Sequence, residues 1–292
     1  MHTKTVKKSA GFFFVIIFIL SVLIGLPCVT ETFFILSGVI FCVALGLADD
    51  IWNLRSSTKL IFEFLFFLPF SFYFCQNIKI FGMDLQSVGH IAPVLASVYF
   101  VFVINLCNFM DGIDIYLTLT FFIALANLFL LSNQRSHTEY LILFSASLLG
   151  FAILNFPPAK LFMGDSGSLP IGFLIASMPF LFGDRESTDL SLSFLLIPIF
   201  WTDGVITLLN RTLERKNVLV AHKEHSYQRI TISLLSKRNT AILFGLLNLM
   251  GVGLYLILRP YLRTEVITLI LLCFYTGLFF FANGMINKRL SS

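Results

Sequence analysis

Charge is what this chain has least of. Asp, Glu, Lys and Arg make up 12% of its 292 residues, about half the share usual in a soluble domain. That scarcity excludes a water-soluble globule, and a hydrophobic content of 57% excludes disorder. Cysteine is also sparse. Cys28, Cys42, Cys75, Cys107 and Cys273 all fall inside apolar runs, so they read as small packing residues and not as a disulfide frame or a zinc set. No small-residue cleavage site follows the first apolar run, which therefore reads as a retained span and not as a signal peptide. No internal repeat is visible.

What is present is a succession of apolar runs long enough to cross a bilayer, separated by short polar islands. Ten spans are predicted: Gly11–Val29, Thr32–Ala48, Leu60–Gln76, Ile91–Cys107, Ile115–Ser132, Tyr140–Phe156, Leu169–Phe182, Leu190–Leu209, Thr240–Leu258 and Val266–Gly284. The expected fold is an all-α polytopic transmembrane helical bundle, a single domain over residues 1–292, with both termini on the cytoplasmic side. Lys and Arg set that orientation. With the N-terminus inside, Lys4, Lys7, Lys8, Arg55, Lys59, Lys160, Arg211, Arg215, Lys216, Lys223, Arg229, Lys237, Arg238, Lys288 and Arg289 fall on the cytoplasmic side. Only Lys79, Arg135, Arg185, Arg259 and Arg263 fall opposite. The far-side acids Glu31, Asp84, Glu139, Asp184, Glu186, Asp189 and Glu265 read as loop solvation.

The remaining acids collect at cytoplasmic loop edges. Asp49 and Asp50 end the second run, where two adjacent carboxylates repel unless a proton or cation intervenes. Lys59 opens the next run, placed either to snorkel or to bind phosphate. Asn105, Asn108, Asp111 and Asp114 recur every three residues in NLCNFMDGID, one face if the stretch is helical. LFMGDSGSLP offers Gly164, Asp165 and neighbouring small residues as an anion nest with an acid that can hold a divalent metal. The basic segment 210–239 carries His222, His225 and Arg229. The two His lack the further ligands of a zinc site, and lipid headgroups explain the Lys and Arg but not the His pair. Together these residues predict a membrane-surface pocket with acids for a metal and bases for phosphates. All-oxygen ligands favour Mg²⁺, or Mn²⁺, over Zn²⁺. Asp203, in IFWTDGVI, is the one acid deep in a run.

Four segments in this order, ADDIWNLRSSTK, NLCNFMDGID, FMGDSGSLPIGF and HKEHSYQR, resemble the polyprenyl-phosphate N-acetylhexosamine-1-phosphate transferases, glycosyltransferase family 4. The resemblance implies an enzyme of the bacterial inner membrane, active on the cytoplasmic face. It would transfer N-acetylhexosamine 1-phosphate from a UDP-N-acetylhexosamine to undecaprenyl phosphate, releasing UMP and initiating O-antigen-type polysaccharide. It implies catalytic roles for Asp49, Asp50, Asp111 and Asp114, and Mg²⁺ on Asp165 with Asn108. Lys59, Asn105, Asn108, Phe162, Gly164, His222, His225 and Arg229 would bind substrate, Phe162 by stacking on uracil. The form H-x-x-H-x-Y-Q-R is closest to the transferases of deoxy sugars. The expected partners are the two substrates and the bilayer, with no nucleic acid; a homodimer is allowed but not required.

Two departures stand out. The family's additional N-terminal span and Pro-x-x-Gly-Gly loop are not in the chain. The usual Asp-Gly-x-Asp-Gly reads Asp-Gly-Ile-Asp-Ile, and Ile115 restricts a backbone suited to glycine. The rival readings are a secondary transporter, for which Asp203 is the candidate residue, and a truncated, inactive relative.

Overall fold

The computed structural model describes residues 9–291 except 76, 86–88, 90, 132–136, 183–187, 219 and 221, and omits the side chains of 182, 290 and 291. Lys4, Lys7, Lys8, Arg135, Arg185, Asp184 and Glu186 therefore lie outside the described residues, as do the span ends Gln76 and Ser132. The helices are α1 (Gly11–Gly25), α2 (Thr30–Trp52), α3 (Ser56–Phe74), α4 (Ile91–Met110), α5 (Tyr116–Leu131), α6 (Thr138–Asn155), α7 (Asp165–Phe182), α8 (Leu192–Leu196), α9 (Pro198–Leu213), α10 (Ser226–Ser233), α11 (Lys237–Leu258) and α12 (Thr264–Ser291). The chain is nearly all helix, and six of these helices (α2, α3, α4, α6, α11 and most of α12) are long and apolar enough to cross a membrane.

The seventh apolar run forms the axis of the bundle. Every residue of α7 from Ser166 to Pro179 is buried, as expected of a helix that is apolar all round and enclosed by protein. It packs most extensively on α2 and α4. Small residues permit the close approach: a Cβ on Gly46 of α2 would collide with the backbone of Asp165 and Ser166.

The eighth run differs from expectation. It is not one helix but two, α8 and α9, interrupted at Ile197 before Pro198. Pro cannot continue the ladder, and the freed backbone groups must find partners where water is absent. Asn127 of α5 donates to the Leu196 carbonyl (3.0 Å). Asn248 of α11 accepts from the Ile199 N–H (3.1 Å). Two lone amides in apolar helices thus complete the break.

Three short strands lie between the ends of α3, α4, α7 and α8 that are remote from the acidic segments. β1 (Ile78–Ile80) pairs antiparallel with β2 (Met83–Asp84) and parallel with β3 (Thr188–Asp189). Asp189 is more than the solvated loop acid expected. Its carboxylate accepts from Gly82 N (2.9 Å), Ser191 N (2.9 Å) and Ser191 Oγ (2.6 Å), and so joins the hairpin turn to the start of α8.

Replacing Asn248 by Leu leaves the Ile199 N–H buried without its acceptor. Stability should fall by about 1–3 kcal/mol, read as a lower melting temperature of the detergent-solubilised protein.

Candidate active site

Six helix ends meet at one face of the bundle: the C-termini of α2, α4 and α6 and the N-termini of α3, α7 and α11. Between them lies a cavity of about 360 Å³, lined by Asp49, Asp50, Asn53, Asn108, Asp111, Gly112, Ile113, Asp114, Asn155, Phe162, Met163, Gly164, Asp165 and Lys237. The acids of three separate sequence segments, all five of them, therefore share one chamber.

The adjacent pair Asp49-Asp50 divides its labour. Asp50 Oδ1 accepts from the Asp165 N–H (3.0 Å) and Oδ2 from the Ser166 N–H (3.2 Å). Asp50 thereby caps a helix to which it does not belong, meeting the need of a helix N-terminus for an anion. Gly164 turns the chain into α7 with a φ of +70°, and a Cβ there would press on the Asp50 carboxylate. The nest expected around Gly164 thus exists, but the anion whose oxygens it holds is Asp50. Asp49 instead accepts from Lys59 Nζ (3.2 Å), which also bridges to Asp165 (2.7 Å). Lys59 does not line the cavity; it stands behind it, joining two of its acids.

The three-residue periodicity of NLCNFMDGID does not run along one helix. α4 ends at Met110, so Asp111 and Asp114 stand on the loop that follows. Asn108 remains helical. It donates to Asp165 (3.2 Å), and its Oδ1, the atom a metal would need, accepts from Ser168 Oγ (2.8 Å). As placed, Asn108 positions Asp165. Asn105 is not in the cavity and bonds to the buried Glu63 of α3. Asp114 is held by Lys237 Nζ (3.1 Å) and the Ala159 N–H (3.3 Å). Asp111 makes no side-chain hydrogen bond among the described residues. Burial, with the like charges of Asp165, Asp114 and Asp50 around it, pushes its carboxyl well above the usual carboxylate range. A cation would relieve that repulsion.

Ile115 occupies the glycine-type backbone after all, with a φ of +64°, a conformation that costs a non-glycine residue about 1–3 kcal/mol. Its N–H is fixed by Asn155 Oδ1 (2.7 Å), while Asn155 Nδ2 holds the Leu161 carbonyl (2.9 Å). Asn155 thus sets the loops on both sides of the chamber.

The histidines lie outside the cavity lining. His222 and His225 stack at 4.9 Å. His225 is 1% exposed and neither ring nitrogen is hydrogen-bonded among the described residues; its Nδ1 lies 3.6 Å from Asp203 Oδ1, and the ring is buried between His222 and Tyr227. Burial, then His225 and Arg211, lowers the His222 pKa to about 4. Arg229 reaches neither His nor the cavity; its guanidinium grips Asn283 and Asn287 of α12. Asp203, 2% exposed, accepts from Ser226 N (2.9 Å), Tyr227 N (3.3 Å) and Thr207 Oγ1 (3.1 Å). It caps α10 as Asp50 caps α7.

Asn53, Asn155 and Lys237 are site residues that were not singled out from the sequence. Asn53 ends α2 in the left-handed conformation, a position at which Asn is favoured. Lys237 begins α11 directly after the capping Ser236. Among the described residues no three carboxylate, imidazole or thiol groups stand close enough to form a ready-made metal cage. Magnesium does not require one, since it is held by one or two carboxylates with substrate phosphates and water completing the shell. Asp165 and Asp111, two acids of the same cavity, suit that mode.

A family model described as glycosyl transferase family 4 matches residues 32–183, from α2 through α7. The chain is 26% identical over 265 residues to a protein named probable undecaprenyl-phosphate N-acetylglucosaminyl 1-phosphate transferase from Bacillus subtilis, covering 85% of this chain and 72% of the relative. It is 30% identical over 198 residues to the undecaprenyl-phosphate alpha-N-acetylglucosaminyl 1-phosphate transferase of Thermotoga maritima (67% of this chain, 60% of the relative). It is 29% identical over 185 residues to a phospho-N-acetylmuramoyl-pentapeptide-transferase of Clostridium botulinum (57% and 56%).

Two outcomes are expected. Asp50→Ala uncaps α7 and should cost about 0.5–2 kcal/mol of stability, with Asp50→Asn intermediate, measured by thermal unfolding. His222 has a folded pKa of about 4, below its ordinary value of ~6.5. The folded state thus favours the neutral ring, and its contribution, present above pH ~6.5, is lost as the pH falls through 4. Across that window the wild-type melting temperature should fall more steeply than that of His222→Gln.

Proposed function

Because the chain belongs to glycosyl transferase family 4, we propose that it transfers a sugar 1-phosphate from a UDP-N-acetylhexosamine to undecaprenyl phosphate. The observation that carries this reading is the single cavity in which Asp49, Asp50, Asp111, Asp114 and Asp165 meet beside Phe162 and Lys237. The names of the relatives, which include undecaprenyl-phosphate sugar 1-phosphate transferases, support the same acceptor.

A phosphate oxygen of undecaprenyl phosphate attacks the β-phosphorus of the donor. The bond from that phosphorus to the bridging oxygen breaks, and the oxygen leaves with UMP. Little base catalysis is required, because a phosphate monoester loses its second proton near pH ~6. Positioning therefore dominates. Asp49 orients the acceptor phosphate; Asp50 is a poor choice, since both of its oxygens are occupied by α7. Phe162, at the cavity wall, offers a ring to uracil. Lys237 and Lys59 offset the charge of the phosphates. Asp165, with Asp111 beside it, would hold Mg²⁺ or Mn²⁺, which when bound neutralises the diphosphate and the developing charge. His222 and His225 act from behind the cavity, shaping the loop that precedes α10.

The bacterial inner membrane, with the site on the cytoplasmic face, is supported by the strong bias of Lys and Arg toward that end of the spans. Initiation of an O-antigen-type polysaccharide, with a deoxy N-acetylhexosamine as the sugar, is supported by HKEHSYQR alone. Asp203, the candidate acid of the secondary-transporter reading, is engaged in the α10 cap.

Membranes containing the protein should release UMP from a panel of labelled UDP-N-acetylhexosamines only when both undecaprenyl phosphate and a divalent cation are present. Asp165→Ala should lower that rate by about 100-fold or more; full activity in this variant would remove the metal assignment, and no UMP release with any donor would favour an inactive relative.

A further inference from the structure

The mechanism above gives no task to Glu63. It lies one turn after Lys59 on α3 and is 1% exposed. Asn105 of α4 donates to its Oε2, while Oε1 is buried with no hydrogen-bond partner among the described residues. A carboxyl group inside a membrane-spanning helix is expensive and persists where it answers another charge. The charges that act on Glu63 are those of Lys59 and Asp165.

Residues four apart share a helix face, so the flexible stem of Lys59 can carry its ammonium toward the cavity or back along α3 toward Glu63. In the structure the ammonium stands between Asp49 and Asp165, 2.7 Å from the latter. A divalent cation arriving on Asp165 contests that position, and two cations on one carboxylate repel. Lys59 then needs a second anion within reach, or it opposes the incoming ion.

We propose that Glu63 is that second anion: it receives the ammonium of Lys59 on its unpartnered Oε1 when a divalent cation takes Asp165, while Asn105 holds the carboxyl group in place. Glu63 is thus a positioning residue, acting on the metal site through Lys59. This inference rests on the metal assignment made above. It gives Asn105, predicted to bind substrate, a different task, and it explains why a carboxylate without a full set of partners is tolerated at that depth.

The experiment is Mn²⁺ binding to the purified full-length protein in detergent, followed by electron paramagnetic resonance of the free ion and without substrates, so that turnover plays no part. Glu63→Gln should weaken binding by roughly tenfold, because Lys59 then stays on Asp165. Lys59→Met should bind Mn²⁺ more tightly than the wild type. In the Lys59→Met background the Glu63→Gln substitution should have no further effect. Glu63→Asp, which keeps the charge one methylene further back, should give an intermediate affinity and serves if the Gln variant fails to fold. Unchanged affinity in the Glu63 variants, or the same loss with and without Lys59, would overturn the proposal while leaving the metal site standing. A wild-type protein that binds no Mn²⁺, either alone or with UMP added to supply a phosphate, would overturn both.

Discussion

The carboxylate of Asp50 on the first two N–H groups of α7 is the contact on which the arrangement of the site depends. α7 is enclosed by protein from Ser166 to Pro179, and the N–H groups at its start need acceptors. Asp50 supplies both oxygens, Gly46 lets the backbones of α2 and α7 approach, and Gly164 provides the left-handed turn. The same solution recurs where Asp203 of α9 caps α10. In each case an acid from one helix fixes the start of another, and the polar residue beside that start inherits a defined place. Asp165 is placed by the first cap and the histidine loop by the second.

The electrostatics follow from this seating. Five carboxylates face one small chamber, and two of the basic groups beside them, Lys59 and Lys237, are each tied to its acids at 3.2 Å or less. At an effective dielectric of 20, like charges ~4 Å apart repel by ~4 kcal/mol, so an assembly of this kind has an appetite for cations. Asp111, the acid without a side-chain partner among the described residues, is where that appetite is least satisfied.

Much of this was legible in the sequence, because apolar runs, their flanking acids and small residues such as Gly164 are local signals. The grouping of Asp49, Asp111, Asp114 and Asp165 followed from their common position at one end of alternating runs. What could not be read was tertiary. Nothing local distinguishes Asp49 from Asp50, yet one faces Lys59 and the other a helix end. The i, i+3 spacing through Asp114 resembled a helix face, yet α4 ends at Met110 and the loop after it is held at Ile115 by Asn155, a contact from a distant helix. His225 and Arg229 carry the polarity of ligands but are spent on internal packing and on α12. The break before Pro198 did have a signal, the proline itself, and its two partners were visible as Asn127 and Asn248, isolated amides in otherwise apolar helices.

The enclosure of α7 has a mechanical consequence. Helices that border lipid answer a change of bilayer thickness by tilting or by drawing flanking residues to the interface. From Ser166 to Pro179, α7 is buried within the protein, so such deformation is absorbed by its neighbours before it reaches the helix that presents Asp165. The helix that presents Asp165 thereby stands one layer removed from the elastic state of the membrane.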